Sequence, residues 1–127
     1  MRLLLDTHVL LWWLSDNPRL DPQLRTAIID GENDVFVSSI SIAEIAIKRS
    51  QGKLEAPPEL LSRIAEEGFT ELPFSNDHAA ALEALPWTHR DPFDRMLVVQ
   101  AQREGLMLAA ADRRLSDYDV VIAGAEG

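Results

Sequence analysis

Short apolar runs alternate with amphipathic segments along this chain of 127 residues. Five of the apolar runs predict buried strands, at residues 2–6, 35–38, 70–72, 106–110 and 119–123. Between them apolar residues recur at helical spacing, which predicts helices near 7–14, 22–31, 41–50, 57–68, 75–85 and 91–105. Strands that alternate with helices indicate an α/β fold, in which a mainly parallel sheet is covered by helices on both faces.

Several helix ends are marked by the residues that precede or follow them. Asp91 and Pro92 form an N-cap followed by proline at the first helical position, and Gly105 predicts the end of that helix. Ser41 and Glu44 have the spacing of a capping box, so we expect a second helix to begin at Ser41. In this interpretation Glu44 and Asp94 each lie in the first turn of a helix.

Four acidic residues occupy related positions in this pattern. Asp6 and Asp112 each follow an apolar strand, whereas Glu44 and Asp94 lie near helix starts. In an open parallel sheet these positions face one crevice beyond the carboxyl ends of the strands. Because four carboxylates in one crevice repel each other, the pattern favours a bound divalent cation that prefers oxygen ligands, Mg²⁺ or Mn²⁺. Such a site suits hydrolysis of a phosphodiester.

Each acid also has a purely structural explanation. Glu44 completes the capping box, and Asp94 lies where a negative charge interacts favourably with the helix dipole. Asp6 has the position of a cap for the following helix, and Asp112 that of a turn residue. Taken singly, Glu44, Asp94 and Asp112 fit these structural roles better, so the functional interpretation depends on all four acids together.

Composition and charge restrict the remaining possibilities. The chain has no cysteine, which excludes disulfides and thiolate metal ligands. Its longest early apolar run, at residues 9–14, is too short to span a bilayer. Asp6 and His8 interrupt the segment that would otherwise resemble the core of a signal peptide. We therefore expect a soluble cytoplasmic protein with no membrane contact, formed by a single domain over residues 1–127. The formal net charge of −9 is unusual for a protein that binds nucleic acid.

Three segments carry a resemblance to a known family. They are residues 3–8 (LLLDTH), 38–48 (SSISIAEIAIK) and 89–97 (HRDPFDRML), supported by 52–54 (GKL) and 85–86 (LP). In this order they resemble the PIN domain family, and within it the VapC-type toxins of bacterial toxin–antitoxin pairs. The resemblance implies a three-layer α/β/α fold and an endoribonuclease that depends on Mg²⁺ or Mn²⁺. It also implies an RNA substrate, a cognate antitoxin protein and a homodimer.

The resemblance also assigns roles to individual residues. Asp6, Glu44 and Asp94 match the three acids of the family's metal site, and Asp112 matches a fourth acid. Similar proteins usually carry Thr or Ser two residues before that acid, where this chain has Ala110, so a second metal is less well supported than the first. Asp91 belongs to the same stretch, but its spacing fits a helix cap.

Contacts with substrate are expected from polar side chains beside the acids. The candidates are Thr7, Lys48 and Arg95. Lys48 belongs to a basic group with Arg49 and Lys53, a type of cluster that can bind RNA phosphates.

Two other functions stay open at this stage. One is a PIN-like module without catalytic activity that binds a protein partner, which the acidic charge and Ala110 favour. The other is a metal-dependent phosphoesterase or DNase with a different substrate. Neither the RNA target nor the number of bound metals follows from the sequence, because specificity depends on groove shape and single-strand contacts.

Overall fold

The structure, a computed structural model, describes residues 1–119 and the backbone of 122–123. Five strands form one sheet, and every neighbouring pair is parallel. They are β1 (Arg2–Leu5), β2 (Asp34–Ser38), β3 (Thr70–Leu72), β4 (Met107–Ala109) and β5 (Ile122–Ala123). The predicted strands are thereby confirmed, although residues 120 and 121 of the last one lie outside the described part of the chain.

Six α-helices connect and cover these strands. They are α1 (Thr7–Leu14), α2 (Pro22–Ile29), α3 (Ser39–Ser50), α4 (Leu60–Glu66), α5 (Asn76–Ala81) and α6 (Pro92–Glu104). Two 3₁₀ turns, Leu82–Ala84 and Arg113–Asp117, complete the regular structure of the described residues. The helix expected from residue 57 begins three residues later, and the one expected to reach residue 85 finishes as a 3₁₀ turn.

Strand β1 shows how the sheet divides the core into two layers. Leu3 and Leu5 are buried among residues of α1 to α4, whereas Leu4 is buried among residues of α6 and the turns around it. This alternation follows from the two-residue period of a strand, and it requires apolar residues at every position when both faces are covered. The sheet is therefore the middle layer of the α/β/α fold expected from the sequence.

The strand order β3-β2-β1-β4-β5 determines where a site can form. From β1 the chain adds β2 and then β3 on one side, and afterwards adds β4 on the other side. At the carboxyl ends of the strands, the connection leaving β1 therefore turns to one side of the sheet and the connection leaving β4 turns to the other. A crevice opens between them, and open α/β sheets bind ligands in such a crevice. Asp6 directly follows β1 at this crevice. Among the described residues, no helix is both long and apolar enough to cross a membrane.

Candidate metal centre

The side chain of Asp6 accepts hydrogen bonds from residues just beyond the carboxyl ends of β1 and β4. Its Oδ1 accepts a hydrogen bond from the backbone N–H of Val9 at 2.7 Å, so the side chain caps α1. Its Oδ2 accepts from the N–H of Ala111 at 3.0 Å, just beyond β4. The capping role considered from the sequence is therefore real, and it fixes the carboxylate at the mouth of the crevice.

Burial makes the charged form of Asp6 costly. Only 4% of the residue is exposed, and desolvation raises the pKa of Asp6 to about 6 even though the two backbone N–H groups lower it. The charge of His8 also lowers this pKa, whereas that of Glu44 raises it. A nearby positive charge would stabilise the ionised form of such a buried carboxylate.

Glu44 lies one turn deeper in its helix than the sequence pattern indicated. Helix α3 begins at Ser39, because Ser38 is its N-cap and accepts from the N–H of Ile40 at 2.9 Å. The expected capping box between Ser41 and Glu44 is therefore wrong, and Glu44 lies in the second turn rather than the first. From this position its side chain reaches the crevice and is 4% exposed.

The carboxylate of Glu44 is held through both of its oxygens. Oε1 accepts a hydrogen bond of 2.6 Å from the Thr7 hydroxyl, which also lies 3.1 Å from Ser41 Oγ. Oε2 accepts from Lys48 Nζ at 2.5 Å, an ion pair between positions i and i+4. This bond to Glu44 raises the pKa of Lys48. The first turn of α1 and one face of α3 thus orient a single carboxylate.

Asp94 lies in the first turn of α6, as the sequence indicated. Asp91 caps this helix by accepting from the N–H groups of Phe93 and Asp94, which confirms the cap role given to it. Burial, followed by the negative charges of Asp91, Asp6, Glu44 and Asp112, raises the pKa of Asp94 to about 7. The other three predicted acids are therefore close enough to Asp94 to raise its pKa.

Asp112 lies at the rim of this group. It caps the 3₁₀ turn after β4 and accepts from the N–H of Arg114 at 2.9 Å. Its carboxylate also pairs with the Arg114 guanidinium at 2.8 Å, and this hydrogen bonding lowers the pKa of Asp112. Ala110, two residues earlier, is fully buried and offers no hydroxyl to this acid. Asp112 is therefore less deeply held in the crevice than Asp6 and Glu44.

The three substrate candidates have different surroundings. Thr7 is buried against Glu44, which makes it an orienting residue, whereas Lys48 is partly exposed and lies among the acids. Arg95 is 4% exposed and donates to the carbonyl oxygens of Leu85 and Pro86. Its guanidinium also stacks 3.8 Å from the centre of the Trp87 ring. Arg95 consequently holds the segment before α6, and its contact with substrate stays a prediction.

The sequence analysis overlooked Ser41 as a part of the site. It is fully buried, and it lies beside Thr7 in the hydrogen-bonded group that orients Glu44. Its position three residues before Glu44 was interpreted as a helix cap. The same spacing places both side chains on one face of a helix that continues through them, and this was the available signal.

The donor chemistry of the crevice fits Mg²⁺ or Mn²⁺. Asp6, Glu44, Asp94 and Asp112 provide oxygen ligands only, and burial together with mutual repulsion makes a shared cation favourable. Within residues 1–119, however, no three Asp, Glu or His side chains already stand where they could hold a metal ion. Glu44 is paired with Lys48, and Asp112 with Arg114. In this conformation basic side chains of the chain itself balance the acids.

Two of the grooves formed by the described residues are relevant to binding and lie outside the crevice. An apolar groove of about 740 Å³ runs between α3, α4 and the β3 edge, and its walls include Ala43, Ala46, Leu61 and Phe69. A more polar groove of about 830 Å³ runs from His8 and Trp12 on α1 to Lys53 after α3. Since His8 acts electrostatically on Asp6, this second groove begins beside the carboxylates.

Comparison with known proteins is consistent with this geometry. The sequence model of the PIN domain family matches residues 3–121 of this chain. Ribonuclease VapC22 from Mycobacterium tuberculosis is 30% identical over 118 residues, covering 91% of this chain and 90% of the relative.

Solved structures show the same fold at lower identity. One is VapBC2 from Rickettsia felis bound to a promoter DNA fragment, with a TM-score of 0.71 at 15% identity, covering 97% of this chain and 98% of that one. Another is DNA-bound VapBC from Salmonella typhimurium, with a TM-score of 0.68 at 19% identity, covering 97% of each chain. The chain therefore belongs to the PIN domain family, and to the VapC proteins within it.

Proposed function

We propose that this protein is a divalent-metal-dependent endoribonuclease and the toxin of a toxin–antitoxin pair, acting in the cytoplasm. The observation that supports this most is that the charges of Asp6, Glu44 and Asp112, which come from distant parts of the chain, all raise the pKa of Asp94. The name of the relative from Mycobacterium tuberculosis, a ribonuclease, supports RNA as the substrate.

The residues of this chain have distinct tasks in the proposed reaction. Asp6, Glu44 and Asp94 would hold the first ion, and Asp112 would contribute from the rim. Mg²⁺ or Mn²⁺, when bound, supplies Lewis-acid chemistry at the scissile phosphate and acidifies water. The backbone N–H groups that fix Asp6 and the Thr7 hydroxyl that fixes Glu44 keep these oxygens in position. Such orientation by neighbouring groups strengthens metal sites.

The polar groove beside Asp6 supports a single-stranded substrate. The His8 and Trp12 rings lie 6.0 Å apart on successive turns of α1, and Lys53 lines the same groove. Aromatic faces stack with unpaired bases, and a lysine attracts the backbone phosphate. A groove with both features next to the carboxylates would lead a single strand to the ions. The positive charge of its lysine would offset the acidic net charge of the protein locally.

The apolar groove supports the proposed protein partner. Leu61, which lines this groove, is 64% exposed, and exposed apolar side chains of this kind favour association. Several solved structures with this fold are toxin–antitoxin complexes. We therefore propose that an amphipathic helix of an antitoxin covers this groove, and that the toxin itself forms a homodimer.

RNA cleavage with and without metal tests the proposed activity. Single-stranded RNA should be cut by the purified protein in Mg²⁺ or Mn²⁺ and left intact in chelator, and Asp94→Asn should lower the rate by at least about a hundredfold. Asp77→Asn is the matched control, because Asp77 pairs with Arg103 on the surface far along α6. Equal cleavage by the parent protein and Asp94→Asn would show that the site is wrong.

A second candidate function remains, because one observation favours it. In the described residues the acids are balanced by Lys48 and Arg114, which suits a protein that binds a partner and performs no chemistry. This alternative predicts no metal-dependent cleavage of RNA, single-stranded DNA or a small phosphodiester. Cleavage of DNA or the phosphodiester in preference to RNA would instead identify the other enzyme class.

A further inference from the structure

Lys48 places a positive charge beside Glu44 in the acidic crevice. Its Nζ lies 2.5 Å from Glu44 Oε2, and it lies close enough to Asp91 and Asp94 for both to act on it electrostatically. The Phe93 ring, whose centre is 5.8 Å from Nζ, borders it on the α6 side. Lys48 therefore interacts with two of the four acids, Glu44 and Asp94, that were predicted from the sequence to hold a divalent ion.

The two oxygens of Glu44 are held with different firmness. Oε1 is bound by Thr7, which is buried and fixed in the first turn of α1. Oε2 is bound by Lys48, whose side chain is 33% exposed at the end of a flexible stem. Loss of the Lys48 contact would leave the Glu44 carboxylate oriented by Thr7, with Oε2 available to another cation.

We propose that Lys48 is a built-in counter-ion that competes with the divalent metal for Glu44. This inference depends on the proposed function, since it assumes that the carboxylates bind a metal. In the metal-free protein the ammonium neutralises Glu44 and its neighbours. When the divalent ion binds, repulsion between the two cations drives Lys48 out of the crevice, and Thr7 keeps the carboxylate in place.

Two simpler roles for Lys48 predict different effects of its removal on thermal stability and metal affinity. If Lys48 only stabilised α3, its removal would lower thermal stability equally with and without metal. If it only attracted RNA, its removal would leave metal affinity unchanged. A competing counter-ion requires that metal affinity increases and that stability falls only in the absence of metal, because its removal exposes the uncompensated acids.

Calorimetric titration with Mn²⁺ tests the competition directly. Lys48→Met keeps the length of the side chain and removes its charge, and we expect it to bind Mn²⁺ on the order of tenfold more tightly than the parent protein does. Lys48→Arg, which keeps the charge, should not bind more tightly than the parent. Arg103→Met is the control and should stay within about twofold of the parent protein, since Arg103 pairs with Asp77 on the surface near the end of α6.

Thermal melting of the same variants separates the remaining outcomes. Lys48→Met should melt below the parent protein in chelator and at the same temperature in saturating Mn²⁺; Lys48→Gln replaces it if it does not fold. Unchanged or weaker Mn²⁺ binding by both neutral variants overturns the counter-ion role while leaving the nuclease proposal intact. A parent protein that neither binds Mn²⁺ nor cuts RNA overturns the proposed function, and the counter-ion role with it.

Discussion

At the scale of single residues, the structural roles of the acids are compatible with the chemical roles proposed for them. Asp6 caps α1 and also bonds the N–H of Ala111, which lies 105 residues away along the chain. The cap could be predicted from local sequence, but the second bond depends on the pairing of β1 with β4. A capping acid can therefore also belong to the site, because the cap determines where its carboxylate points.

Asp94 gives a pH-dependent prediction for the metal-free protein. Its pKa in the folded state, about 7, lies above the ordinary value of 3.8, so the folded state favours the protonated form of Asp94. The stability that this form provides is fully present below pH 3.8 and is lost as the pH rises through 7. Asp94→Asn removes this unfavourable charge. At pH 8 in chelator we expect it to raise the free energy of unfolding by on the order of 2 kcal/mol, with the gain shrinking towards pH 5.

Denaturant unfolding at both pH values measures this effect, and Asp77→Asn provides a control of opposite sign. Arg103 lowers the pKa of Asp77, which is exposed, so this substitution should leave stability unchanged or slightly lower at pH 8. If Asp94→Asn is less stable than the parent protein at pH 8 without metal, Asp94 does not experience the repulsion inferred from its neighbours.

At the scale of elements, helix α3 shows what a local pattern could not decide. The segment offers serines at positions 38, 39 and 41, and the spacing of Ser41 with Glu44 favours the last of them. The helix instead begins after Ser38, whose hydroxyl donates to Gln100 Oε1 at 2.5 Å across 62 residues. Only the folded packing of α3 against α6 supplies that partner. The same reasoning applies to Arg95, whose burial depends on the segment before α6.

The bond between Ser38 and Gln100 predicts a measurable contribution to stability. Ser38→Ala removes the N-cap of α3 and leaves the amide oxygen of the fully buried Gln100 without its donor. We expect a loss of about 2–4 kcal/mol in the free energy of unfolding, measured in urea, from the cap and the buried hydrogen bond together. Ser62→Ala, at an exposed position of α4, should change it by less than about 0.5 kcal/mol. Equal effects of the two substitutions would refute this assignment.

At the scale of the whole molecule, the apolar pattern was sufficient to predict the sheet and its two covered faces. Runs such as Leu3–Leu5 are apolar at every position, which occurs when both faces of a strand are buried. The alternation of strands and helices also predicts a common crevice for Asp6, Glu44, Asp94 and Asp112, and the effect of the other three acids on the pKa of Asp94 supports this proposal. The pairing of those acids with Lys48 and Arg114 could not be predicted, because side-chain partners depend on exact distances that periodicity does not provide.

For the whole molecule, the positions of the charges have to be considered together with the net charge of −9. The four acids of the crevice contribute to it, yet they would be neutralised by the ions they bind and so would not repel RNA. In the proposed function, Lys53 in the groove that starts at His8 would offer a positive charge to RNA. The distribution of charge near the crevice therefore matters more for substrate binding than its sum.

Anomalous diffraction at the manganese edge, from crystals soaked in Mn²⁺, tests the central claim most directly. The account predicts a peak about 2.0–2.2 Å from carboxylate oxygens of Asp6, Glu44 and Asp94, with Lys48 Nζ moved away from Glu44. Crystals of Asp94→Asn should show a weaker peak or none. A parent crystal in saturating Mn²⁺ with no peak among these carboxylates, and with the Lys48–Glu44 pair intact, would contradict it.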